Sequence, residues 1–130
     1  MNDDQASNPL VLDHFMNPRN VGDIAEPDGV GEVGAVSCGD VVRISVKVLA
    51  GRIVEARFRT YGCGTAIACS SMATELIQGR TVEEAGQLSK EQVSQAFGGL
   101  PATKAHCPIL AEEAVKAAMA DYQKRRAANV

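Results

Sequence analysis

Tryptophan is missing from these 130 residues, aromatic side chains make up only 4% of them, and the apolar runs are short and broken by charge. A chain without a long apolar run has no segment that could span a bilayer, so no membrane partner is expected. The opening MNDDQASNP is acidic and has no apolar stretch of the kind a secretory signal needs, which points to a cytoplasmic protein. Basic excess is absent too. Thirteen Lys and Arg stand against 16 Asp and Glu, a formal net charge of −3. With no positive field to hold a phosphate backbone, nucleic acid is not an expected partner. What is present is a globular composition, 45% hydrophobic and 22% charged, in a length that suits one domain. Residues 1–7 are expected to form a flexible N-terminal tail before a single domain over 8–130.

Four cysteines, Cys38, Cys63, Cys69 and Cys107, would stay reduced in a cytoplasm and are not expected to form a disulfide framework. Metal binding or sulfur chemistry is then the starting expectation.

The pattern along the chain predicts an α+β fold. PLVLDHFM reads as a short helix opened by Pro9 and closed at Asn17, because Pro18 disfavours helical geometry in the residue before it. Arg19 to Gly34 reads as a loop rich in Gly, Pro and Asp. Residues 41–49 alternate Val42, Ile44, Val46 and Val48 with Arg43, Ser45 and Lys47, and after an Ala50-Gly51 turn Val54, Ala56 and Phe58 alternate with Glu55, Arg57 and Arg59. That is a hairpin, and EVGAVS at 32–37 is expected to add a third antiparallel strand. Helical spacing then runs from Ala66 to Gln78, with Gly79 as the stop. TVEE at 81–84 and SKEQ at 89–92 carry the capping-box pattern of two further short helices, GGLPATK at 98–104 is a loop, and a last helix is expected from Pro108 to about Arg125. On it Glu112, Glu113, Lys116, Gln123 and Lys124 form a wet arc, with Leu110, Ala114, Ala117, Ala118 and Tyr122 elsewhere.

Three cysteines fall at joints between these elements. Cys38 sits in SCGD, Cys63 in YGCG, and Cys107 in AHCP at the expected cap of the last helix. Neighbouring glycines allow close backbone approach or positive φ around Cys38 and Cys63. Cys63 and Cys107 should each face the positive end of a helix dipole, which favours thiolate, the form that binds metal and attacks sulfur. Asp40 follows Cys38 by two residues and His106 directly precedes Cys107. Three thiolates with one harder ligand suit tetrahedral zinc or one edge of a 2Fe-2S cluster, and a carboxylate ligand leaves more readily than a thiolate. Cys69, expected within the second turn of its helix among Ala66, Ile67, Ala68, Met72 and Ala73, reads as a packing residue.

With LDHFMNPRNVG, GAVSCGD, ARFRTYGCGTAIACSS and GLPATKAHCPILAEEAVKAAMADY in place, nearly the whole chain resembles the IscU/NifU family of iron-sulfur cluster assembly scaffolds. The resemblance implies a three-stranded antiparallel sheet packed with about five helices, with the cysteine loops converging at one end. It implies a scaffold rather than an enzyme: a labile 2Fe-2S cluster is assembled from iron and persulfide sulfur and passed to apo iron-sulfur proteins. Cys38, Asp40, Cys63, His106 and Cys107 become the iron and cluster ligands, with Cys107 the persulfide acceptor, and zinc a competitor for the site in the isolated protein. The implied partners are a cysteine desulfurase, a frataxin-like protein, a ferredoxin, a homo-oligomeric copy, and a DnaK-type chaperone with its co-chaperone. The chaperone would grip Leu100, Pro101, Ala102, Thr103 and Lys104, where two of five residues depart from the family's LPPVK. Pro108 stands where many relatives carry Ser, and Cys69 where relatives carry another small residue. A zinc-dependent sulfur carrier of the SufU kind is the alternative. It is disfavoured by the short gap between the second and third cysteines and by the histidine before the third.

Overall fold

The computed structural model describes residues 8–35, 39–101 and 104–128. The expectations for the 1–7 tail, for Cys38 and for Ala102 and Thr103 lie outside the described residues. The elements run α1 (Pro9–Met16), β1 (Gly29–Ala35), β2 (Asp40–Leu49), β3 (Arg52–Tyr61), α2 (Gly64–Ile77), α3 (Val82–Ala85), α4 (Lys90–Ala96) and α5 (His106–Ala128). The three strands form one antiparallel sheet in the order β1-β2-β3, so the expected α+β architecture stands.

Alternation along the hairpin sends Val42, Ile44 and Val46 of β2 and Ala56 and Phe58 of β3 to one face, where all five are buried. Two helices cover that face. α5 lies along β1 and β2, α2 lies along β3, and the two touch each other. Ala66, Cys69, Ala73 and Ile77 of α2 and Ala111, Ala114, Val115 and Ala118 of α5 complete the core. Small residues dominate both helix faces, which lets backbone approach backbone closely. The hairpin turns at Ala50 (φ 53°) and Gly51 (φ 78°), two successive left-handed residues that match the twist of the flanking strands. Arg19 to Asp28 is a working connection. Val21 bridges Phe58 in parallel at the outer edge of β3, Asp23 pairs with Arg43 and Arg59, and the Asp28 amide bonds the Val46 carbonyl.

Two of the boundaries that differ from expectation have a clear physical reason. β1 begins at Gly29 and ends, within the described residues, at Ala35, whereas a loop was expected as far as Gly34. Glycine there signals close approach, not irregular chain: a Cβ on Gly31 would run into the Ala114 carbonyl oxygen and the Ala118 amide of α5. α5 begins at His106 instead of Pro108. Proline is tolerated as its third residue because the first four amides of a helix have no intrahelical acceptor to lose. Both capping boxes form, Thr81 with Glu84 and Ser89 with Gln92.

Candidate metal centre

β2 starts and β3 ends at the same edge of the molecule, since Val41 pairs with Tyr61. α2 starts there as well, one residue after its N-cap Cys63, and α5 brings His106 and Cys107 to the same place in its first turn. The topology therefore gathers residues that are far apart in sequence at the ends of four elements. Cys63 makes no side-chain capping bond to its helix, and its Sγ lies 3.9 Å from Cys107 Sγ. His106 Nε2 is 3.5 Å from Cys107 Sγ and 3.2 Å from Asp40 Oδ2. Cys63, His106 and Cys107 offer ligand atoms that all lie within 4.8 Å of one another.

These separations fit a metal. Two thiolates each about 2.3 Å from one tetrahedral ion lie about 3.8 Å apart, and a thiolate and an imidazole nitrogen on such an ion lie about 3.5 Å apart. The donors are also graded in hardness: two sulfurs, an imidazole and a carboxylate, a set that takes zinc or iron and disfavours magnesium or calcium. Exposure differs across the group. Cys107 is buried at 1%, Cys63 is half-buried, and the His106 side chain is 48% exposed.

The structure brings together Asp40, Cys63, His106 and Cys107 from the expected set, while the fifth, Cys38, lies outside the described residues. Cys69 is apart from that group in role if not in chain position: it is fully buried in α2, and burial, with the nearby Cys63 thiol, pushes its own thiol up to about 12. One expectation is corrected. Cys107 is not a helix cap favouring thiolate. It sits inside the first turn of α5, where burial first, then Cys63, Cys69 and Asp40, raise its thiol well above the ordinary cysteine range. Loss of solvent therefore favours the protonated thiol of Cys107 in the metal-free protein. A metal that binds there must displace the proton.

Close approach is what the structure shows at Gly62, and the approaching group is a side chain: a Cβ there would overlap Asp40 Oδ1 and sit 3.2 Å from the Ala66 methyl. Nothing in the strand pattern could have shown this, because Asp40 and Gly62 meet only once β2 and β3 pair. No helix among the described residues is long and apolar enough to cross a membrane.

Comparison with known proteins identifies the family and the fold. The NifU-like N terminal domain family matches residues 6–129. The iron-sulfur cluster assembly scaffold protein IscU of Azotobacter vinelandii is 52% identical over 120 residues, covering 89% of this chain and 93% of that protein. The protein of the same name from Escherichia coli K12 is 48% identical over 122 residues, 91% of this chain and 94% of that one. Among solved structures, the N-terminal part of a NifU-like protein from Brucella abortus superposes with a TM-score of 0.72 at 20% identity, covering 94% of this chain and 97% of that chain. FiSufU, a SUF-system protein from Fervidobacterium islandicum AW-1, superposes at 0.73 with 19% identity, covering 91% and 99%. Identities this low speak for the fold alone, and the family rests on the sequence matches. The shared fold, the cysteine-bearing edge and a match spanning almost the entire length together mean that this chain belongs to the NifU-like N-terminal domain family.

Proposed function

We propose that the protein is an iron-sulfur cluster assembly scaffold, on which a labile 2Fe-2S cluster is built as cargo and then handed to apo-proteins. The observation that carries the reading is the cluster of Cys63, His106 and Cys107 with Asp40 beside it, partly open to solvent, in a chain about half identical to proteins named as such scaffolds. Its role is assembly and handover, without turnover of a substrate.

Each residue then has a task. Cys63 and Cys107, with Cys38, supply thiolates that hold iron. Asp40 supplies a carboxylate whose weaker hold eases release, and His106, already within hydrogen-bonding distance of Asp40, is the alternate ligand. Cys107 accepts sulfur: its thiolate attacks the outer sulfur of a desulfurase persulfide, forming Cys107–S–SH and freeing the desulfurase cysteine. Two electrons from a ferredoxin reduce that sulfur to sulfide and return the Cys107 thiolate. Because Cys107 is buried and its thiol is raised above the ordinary range in the metal-free state, transfer requires that its sulfur be uncovered and release its proton to solvent when the desulfurase docks. Cys63, half-buried, is the second candidate acceptor on grounds of access. Iron, the desulfurase, a frataxin-like protein, a ferredoxin and client apo-proteins are the partners this role needs, in the cytoplasm, with zinc a competing occupant of the same thiolates.

The test is anaerobic incubation of metal-free protein with ferrous iron, cysteine and a cysteine desulfurase, following visible absorption, iron and acid-labile sulfide. Cluster bands that pass to an apo-ferredoxin, and that persist longer in Asp40→Ala, are expected. If no cluster forms while zinc-loaded protein accelerates the desulfurase and takes up persulfide, the sulfur-carrier role replaces this one.

A further inference from the structure

The chain around the site holds Asp40 from two sides. On the β1 side, Asp40 pairs with Ala35 in the sheet, and Gly34, at a φ of +99°, leaves no room for a Cβ against the Asp40 carbonyl oxygen. On the other side, Asp40 Oδ1 occupies the place that a side chain at position 62 would take, while Oδ2 faces His106 Nε2 at 3.2 Å. Gly62 is not among the glycines with positive φ, so its backbone conformation does not require glycine. The three atoms nearest to a Cβ there are Asp40 Oδ1, the Ala66 methyl at 3.2 Å and Asp40 Cγ at 3.4 Å, and none of them is backbone.

We propose that Gly62 is a positioning residue of the metal site: the missing side chain is the seat of one Asp40 oxygen, and this seat sets the other oxygen on His106. The proposal rests on the reading of Asp40 as a metal ligand. Of the three nearest atoms, a methyl at 62 meets the movable end of the Asp40 carboxylate most closely, and the Ala66 methyl of α2 has to yield by only a few tenths of an ångström. The chain therefore keeps its fold, and the carboxylate turns. Since His106 Nε2 also touches Cys107 Sγ, a turned Asp40 disturbs the donor group at two points. Gly62 thus acts on the metal through Asp40 and not through the stability of the domain.

The experiment compares Gly62→Ala, Asp40→Ala and the double variant with the unaltered chain. Zinc affinity is read by chelator competition, the cobalt(II) visible spectrum reports ligand geometry, and thermal unfolding is measured on metal-free protein. Gly62→Ala is expected to unfold within a few degrees of the parent, to lose about tenfold in zinc affinity, and to show an altered cobalt spectrum. Asp40→Ala should lose at least as much, and adding Gly62→Ala to it should cost nothing further. Unchanged zinc affinity and cobalt spectrum in Gly62→Ala, with Asp40→Ala impaired, overturn the proposal, as does a double variant whose losses multiply. If Asp40→Ala itself binds both metals like the parent, the ligand reading fails and the proposal fails with it. Should Gly62→Ala not fold, Gly62→Ala/Asp40→Gly decides: recovery of folding shows that the collision is with the Asp40 side chain, and no recovery overturns the proposal.

Discussion

The seam between β1 and α5 and the metal edge at the ends of β2 and β3 both depend on glycine, and in both a Cβ would strike an atom already there. At Gly31 of the seam the two nearest atoms are backbone, the Ala114 carbonyl and the Ala118 amide of α5, with the Ala117 methyl just beyond them. At Gly62 of the metal edge the nearest atoms belong to side chains. The same missing methyl therefore allows close packing in one region and, as we propose, the placement of the Asp40 carboxylate in the other. Which of the two it serves depends on whether the neighbour can move.

That contrast can be broken most forcefully at the seam. Gly31→Ala should destabilise the domain by about 3 kcal/mol, since α5 has to lift from the sheet, and urea unfolding measures it. A loss no larger than that of an exposed substitution would remove the distinction between the regions. Cys69→Ala, which takes a buried sulfur out of α2, should cost about 1 to 2 kcal/mol by the same measurement, with zinc stoichiometry unchanged. With its thiol pushed up to about 12, Cys69 should also resist alkylation at pH 8 in the folded protein, while Cys63 reacts. Rapid Cys69 alkylation would mean that α2 opens.

A smaller effect should separate a third packed region, the contact of α1 with α2, from the metal edge by pH. His14 is buried, with Nδ1 2.8 Å from Ser71 Oγ and its ring edge-on to Phe97. Burial first, and then the Arg19 guanidinium, hold its pKa below the usual value, against the pull of Glu75 and Asp13. The unfolded chain thus binds a proton that the folded protein refuses. His14 supports stability above the unfolded imidazole pKa of about 6.5, and that support is lost as pH falls through it. Unfolding free energies at pH 8 and 5.5 should differ by about 1 kcal/mol less in His14→Gln than in the parent chain. An equal pH dependence in the variant would locate the titrating group elsewhere.

Much of this was legible in residue order. The hairpin followed from strict alternation between Val42 and Phe58, both short helices from their capping boxes, and the fate of Cys69 from the small apolar residues around it. The site joints were legible too, because glycine, proline and histidine beside cysteine mark chain ends rather than interiors. Less visible were the start of β1, hidden by glycines that signal close packing as well as turns, and the start of α5, hidden by a proline that a helix accepts in its first turn. The raised thiol of Cys107 was not legible, because residue order does not show that this cysteine is buried.

By itself the sequence determined the elements, since periodicity and capping are local, and it determined which residue types could hold a metal. Only the tertiary structure decided which of them meet. Asp40, Gly62, Cys63, His106 and Cys107 share one edge because β2 and β3 pair antiparallel and two helices begin where that pairing ends. The distances, the burial and the seat of the Asp40 carboxylate are properties of that convergence, set by contacts between residues remote in the chain.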